Sequence, residues 1–176
     1  MNHLKRIYVW LYRLPYCRGF GIQSPTDYAF VRYVINEHWP YYAYDRLGQL
    51  SKGWLDRKMG RLYFRLANWR QPSMMQIDPY GAFFTAGCMK TKMVPEVQRI
   101  ELERLEVFAD YRAKMDMIYN KVDDSSVVVI DKIYRDMDFW HEVEKDPRTS
   151  VTFDLYYCGI VFFDMKRHKM NYKVNF

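Results

Sequence analysis

The stretch Ser126-Val-Val-Val-Ile-Asp131 decides the fold class. A β-branched run without polar alternation, opened by the turn residues Asp123-Asp124-Ser125 and closed by a carboxylate, describes a strand covered on both faces. Such strands belong to sheets with helices on either side. Downstream, Met137 to Lys145 carries a helical apolar pattern that stops before Pro147. It is followed by a strand from Val151 to Tyr156, a break at Gly159, a strand from Ile160 to Phe163 and a last strand alternating Tyr172, Val174 and Phe176. Upstream, Leu105, Phe108, Met115, Ile118 and Val122 form the stripe of one helix, preceded by candidate strands at Val97 to Leu102 and Met74 to Ile77. Residues 71–176 are therefore expected to form an α/β core of about five strands, mostly parallel, with an antiparallel C-terminal edge.

Residues 1–70 read as helical. Residues 4 to 14 give a short amphipathic helix; the charges ahead of its apolar run imitate a secretion signal, but Arg13 interrupts the run and no small-residue cleavage site follows. Ser24-Pro25-Thr26-Asp27 is a helix start, with a capping hydroxyl, proline at the first helical position and an acid near the positive end of the dipole. Tyr28, Val31, Val34 and Ile35 then share one face. Pro40 ends this helix, and Tyr41, Tyr42 and Tyr44 follow in a connecting segment. A further helix from Leu55 to Asn68 buries Leu55, Met59, Leu62 and Leu66 and carries Arg57, Lys58, Arg61 and Arg65 on its other side. The chain thus divides into a helical extension, 1–70, packed on the core from 71 onward as one compact unit.

The 176 residues are 49% hydrophobic, enough for a sizeable core, and 16 Tyr, 11 Phe and 5 Trp are more rings than a dry interior takes, so some must line grooves or contacts. Of the net charge of +6, residues 1–70 hold 12 Lys and Arg against 4 Asp and Glu, or +8, leaving 15 against 17, or −2, for the rest. That asymmetry suits either a solvated basic face or a polyanion partner. Cys17, Cys88 and Cys158 make no CxxC pair and point to a reduced, cytoplasmic setting. His3, His38, His141 and His168 show no ligand spacing, so no metal is expected. No stretch approaches the ~20 apolar residues of a membrane span, and no membrane partner is expected.

Five segments resemble, in order and spacing, a bacterial family of class I S-adenosylmethionine-dependent methyltransferases. They are Arg18-Gly-Phe-Gly-Ile-Gln-Ser-Pro25, Tyr41-Tyr-Ala-Tyr44, Arg61-Leu-Tyr-Phe-Arg-Leu-Ala-Asn-Trp-Arg-Gln-Pro72, Ser126 to Asp131, and Val151-Thr-Phe-Asp-Leu-Tyr-Tyr-Cys-Gly-Ile-Val-Phe-Phe163. The resemblance covers most of residues 1–78 and 97–176. It implies a Rossmann-like sheet, in reduced form, behind N-terminal helices.

The cofactor region departs from what the resemblance implies. An acid followed by Gly-x-x-x-Gly should close the first strand, because backbone must approach the cofactor. Gln76-Ile77-Asp78-Pro79-Tyr80-Gly81-Ala82 instead has Gln76 in the acidic place, Asp78 where the first glycine belongs, and Pro79 without a donor. A shifted register would make Asp78 the acid and Gly81 the turn glycine. Further βαβ units of ~30 residues each should then bring an acid to the ribose. Only Met89 to Gln98 are present, with Glu96 reading as a solvent-facing loop residue. Asp131-Lys132 stands where an Asp-Asp pair is implied, and Gln23 replaces a histidine that could exchange a proton.

The leading expectation is a shortened methyltransferase-like domain that has lost methyl transfer and binds no cofactor. It would act as an interaction module or homodimer through the strand flank that the missing units leave open. In the enzyme alternative, Asp78, Gly81 and Asp131 hold S-adenosylmethionine, with Gln23, Ser24, Tyr41, Tyr42 and Tyr44 around a small substrate. A third reading has Arg57, Lys58, Arg61 and Arg65 binding nucleic acid or another polyanion.

Overall fold

The computed structural model describes residues 3–176, so the first two residues of the N-terminal extension lie outside the described part. The extension contains α1 (His3–Tyr12), α2 (Pro25–Phe30), α3 (Ala43–Gln49) and α4 (Trp54–Arg70). Then come β1 (Met74–Gln76), α5 (Gly81–Gly87), β2 (Lys92–Val94), β3 (Leu102–Glu106), α6 (Tyr111–Tyr119), β4 (Val127–Asp131), α7 (Met137–Lys145), β5 (Val151–Asp154), β6 (Cys158–Phe162) and β7 (Met170–Lys173). The result is mixed α/β, with a five-stranded mixed sheet and a two-stranded parallel one.

The larger sheet has the order β3-β4-β6-β5-β7. β3 and β4 run parallel, β5 and β7 run parallel, and β6 is antiparallel to both β4 and β5. The antiparallel strand therefore lies inside the sheet, and the edge expected to be antiparallel is the parallel β7. The cause is a tight reversal after β5: Leu155 donates to the Cys158 carbonyl at 2.9 Å and Tyr156 adopts a φ of 68°, which folds β6 back between β5 and β4. Gly159 is not a break but the second residue of β6. A Cβ there would fall within the Trp140 ring, so the glycine admits the indole against the sheet.

β4 is buried along its whole length. Val127 and Val129 pack with the helical extension on one face, while Val128 and Ile130 pack with α6 and α7 on the other. Each such side chain contributes roughly 1.5–3 kcal/mol by leaving water. One continuous core links Phe30, Leu62 and Leu66 of the extension to Val129, Phe153 and Ile160 of the sheet, which makes the extension part of the same folding unit.

β3 begins at Leu102, where the sequence predicts a strand to end. Val97 and Ile100 are buried anchors of a loop beneath α6, and Leu105 belongs to β3 rather than to the helix. Tyr28, expected on the buried face of α2, is 43% exposed. α2 starts as expected, with Ser24 Oγ accepting the Asp27 N–H at 3.3 Å, and continues into a π-helical turn over Val31–Ile35. β2, from the short Met89 to Gln98 connection, pairs with β1 and covers its flank. α4 and α5 pack at glycine distance: a Cβ at Gly60 would overlap the Phe83 ring, and one at Gly87 the Phe64 carbonyl. Among the described residues no helix is long and apolar enough to cross a membrane.

Candidate functional site

Ligands of open α/β sheets gather at the carboxyl ends of the parallel strands. Here Arg104, in the middle of β3, draws two of those ends together. Its Nε donates to Asp78 Oδ2 at 2.9 Å and its Nη1 to Asp131 Oδ2 at 2.8 Å, with Glu106 Oε2 at 3.4 Å. Tyr63 of α4 donates its hydroxyl to the same Asp131 oxygen. The Tyr80 ring centroid lies 4.9 Å from the guanidinium, and the Tyr80 hydroxyl donates to Asp56 at 2.5 Å. The side chains of Arg104, Asp131 and Asp78 are 5%, 8% and 12% exposed.

Burial raises the Asp131 carboxyl from 3.8 to about 6, with Arg104 opposing. Burial also pushes the Tyr63 phenol well up, reinforced by Asp131, so it stays a donor. For Arg104, burial works against the charge, but Asp131, Tyr63 and Asp78 outweigh it and hold the proton on. Asp131 Oδ1 has no partner among the described residues. The adjoining Lys132 ammonium pairs with Glu106.

These residues do not fit the nucleoside cofactor implied by the resemblance. Asp78 is held by Arg104 through Oδ2, and its Oδ1 accepts the Tyr80 N–H at 2.7 Å. The Gly81 N–H is taken by the Asp78 carbonyl at 2.9 Å. Gly81 has no positive φ, the glycines that do being Gly19 and Gly21, and a Cβ on it would meet the Met93 methyl at an ordinary 3.6 Å. Neither register therefore supplies a glycine cradle. Glu96 pairs at the surface with Lys121 at 2.8 Å, as a solvent-facing residue does. Among the described residues no three His, Cys, Asp or Glu side chains are grouped to hold a metal ion.

A second place combines two sets of residues that no sequence pattern joins. A groove of about 800 Å³ lies between the Ile35 to Asp45 segment and α4, with Phe176 on its wall, and is lined by Tyr41, Tyr42 and Tyr44 together with Arg57, Lys58, Arg61 and Arg65. The Arg61 guanidinium lies 4.8 Å from the Tyr44 ring centroid, and Lys58 Nζ lies 4.3 Å from that of Phe176 and 5.0 Å from that of Trp54. Burial, then the charges of Arg65 and Arg6, lowers the Lys58 ammonium to about 8. Tyr41 donates to Glu37 at 2.9 Å and is pushed up to about 12 by burial and that carboxylate. Tyr42 is fully exposed, Trp39 is largely so, and Trp54 is half-buried.

Arg65 is not on the open side of α4 as expected. It is buried, and its Nε and Nη2 donate to the carbonyls of Val34 and Ile35 at 2.6 and 2.9 Å. It ties α4 to the π-helical turn, whose last carbonyls lack helical partners. The groove then holds four cations against the two carboxylates Glu37 and Asp45. Among the described residues none of the four cations forms an ion pair.

Gln23 and Ser24 line a different cavity, with Asp27, Arg167 and Tyr172. Asp27 there is buried, paired with Arg167 and accepting the Tyr172 hydroxyl at 3.2 Å. The structure therefore brings Asp78 and Asp131 together, joins the tyrosines to the α4 cations, and separates Gln23 and Ser24 from both. Comparison of the chain with family models, with curated proteins and with solved structures returns no match. Fold and site define a mixed α/β domain with a buried ion network at its strand ends and an open basic, aromatic groove on its helical side.

Proposed function

We propose that this chain is a methyltransferase-like domain that has lost methyl transfer and works as a polyanion-binding module through the groove on α4. The observation that carries the proposal is the meeting of Arg57, Lys58 and Arg61, free of carboxylate pairs among the described residues, with the exposed rings of Trp39 and Tyr42. Cations neutralise phosphates and flat rings accept stacked bases, so single-stranded nucleic acid is the polyanion that uses both. Arg65 is a positioning residue here, since its guanidinium is bound to backbone. The N-terminal surplus of +8 steers an anion toward this side. The loss of cofactor binding is supported by the Arg104 network, which engages both acids a cofactor would need. A homodimer through the flank of β1 has less support, because β2 covers that flank.

The test is fluorescence anisotropy of a labelled single-stranded oligonucleotide at rising salt. Affinity should fall linearly on a log–log plot, and the exposed-site variant Arg57→Glu/Arg61→Glu should bind about tenfold more weakly or worse. Binding that ignores both salt and the charge reversal removes the proposal.

A further inference from the structure

α1 is amphipathic with its apolar stripe facing outward. Leu4, Ile7, Tyr8 and Leu11 recur at i, i+3, i+4 and i+7 with Tyr12 beside them, the spacing of a core-facing stripe. Yet they are 73%, 56%, 68%, 52% and 72% exposed. The inward side carries Arg6, Val9 and Arg13. Arg13 grips Asp154 at 3.1 and 2.7 Å and its carbonyl at 3.2 Å, with both side chains 7% exposed. The Arg6 guanidinium lies 3.5 Å from the Trp54 ring centroid, and Asn175 donates to the Trp10 carbonyl at 3.1 Å. A buried ion pair therefore fixes the direction in which the helix faces. Contiguous exposed apolar surface of this kind marks a contact.

Charge indicates what covers it. Between residues 3 and 26 the cations are Lys5, Arg6, Arg13 and Arg18, and there is no Asp or Glu. Lys5 and Arg18 are exposed, as is Phe20 at 82%. We propose that α1 lies flat on an anionic lipid bilayer. Leu4, Ile7 and Leu11 enter the acyl boundary, Tyr8, Tyr12 and the half-exposed Trp10 sit at headgroup level, and Lys5 and Arg18 meet lipid phosphates. A second copy of the chain fits less well, because a two-fold contact through α1 would bring together two N-terminal extensions of +8 each. The expectation of no membrane partner rests on span length, which does not apply to a helix lying in the interface. The stripe residues Leu4, Ile7, Tyr8 and Leu11 do not line the α4 groove; Arg6, on the opposite side of the helix, stacks on Trp54 in its wall.

The test is flotation of the full chain with vesicles of phosphatidylcholine alone and with about one-third phosphatidylserine added. The chain should float only with the anionic vesicles, and less as salt rises. Ile7→Glu/Leu11→Glu, at exposed sites, should keep the wild-type melting temperature and oligonucleotide affinity while lowering partition about tenfold or more. The proposal is overturned if the chain does not float with anionic vesicles or the variant floats like wild type. A dimer in light scattering that the same variant dissolves would also overturn it, assigning the face to a second copy.

Discussion

Replacing Arg104 with Met keeps the unbranched stem but removes the cation held between Asp78 and Asp131. Asp131 would retain only the Tyr63 hydroxyl, since its Oδ1 already lacks a partner among the described residues. Removing one partner of a buried pair costs about 3–5 kcal/mol, because the other charge stays buried. At about 2–4 °C per kcal/mol for a chain of this length, the melting temperature should fall by roughly 6–20 °C. In the wild type, Asp131 is raised from 3.8 to about 6, so the folded state binds its proton more tightly than the unfolded state. That contribution is complete below the lower value and is lost as pH rises through the upper one. Without Arg104 the carboxyl rises further, so the loss should be smaller near pH ~5 than near pH ~8. Adding Asp131→Asn should return part of the stability by removing the stranded charge. Urea denaturation at both pH values measures all three. A loss below about 1 kcal/mol with no pH dependence is the behaviour of an exposed ion pair and would contradict a buried Arg104 network.

Two glycines separate packing from conformation. Gly159→Ala should lose about 1–3 kcal/mol in urea melts as its methyl meets Trp140, whereas Gly81→Ala, at an ordinary φ with space, should hold or gain up to about 1 kcal/mol; the reverse order would contradict the packing. Lys58 sits at about 8, below its ordinary 10.5, so deprotonation relieves its burial as pH rises through that value while groove charge is lost. Oligonucleotide affinity should decline between about pH 7 and 9 in the wild type and decline less in Lys58→Met; equal declines would exclude Lys58 from the site. Arg13→Met, breaking the buried pair with Asp154, should destabilise the fold by about 3–5 kcal/mol and speed amide exchange in α1; unchanged exchange would show that the pair does not anchor the helix.

The elements readable from sequence were those specified locally. The Ser24 cap, the Met137–Lys145 helix and the Val127 to Ile130 strand each carry their own signal, and each is found. β3 is not legible in the sequence because Leu102-Glu-Arg-Leu-Glu106 has three charged residues in five, which propensity reads as loop or helix. Those charges are tolerated because β3 is an edge strand whose Arg104 finds Asp78 and Asp131, 26 and 27 residues away in the chain. Long-range pairings of that kind leave no periodicity. The position of β6 was hidden for the same reason, since sequence gives the hairpin but not where it inserts. At the site, the residue types were legible and their grouping was not. Asp78 and Asp131 are neighbours through a cation that no motif marks, Arg65 turns inward to carbonyls 30 and 31 residues earlier, and the tyrosines share a groove with Lys58 only because α4 packs beside them.

On the proposed function, the acids at the strand ends are structural, held by Arg104 rather than available to a cofactor. Melting the chain with and without millimolar S-adenosylhomocysteine puts this to the test. A ligand near ~100 times its dissociation constant stabilises a fold by ~2.7 kcal/mol, a shift of roughly 5–10 °C here. No shift is the expected result. A shift of that size, abolished by Asp78→Asn, would contradict the claim and return the strand ends to catalysis.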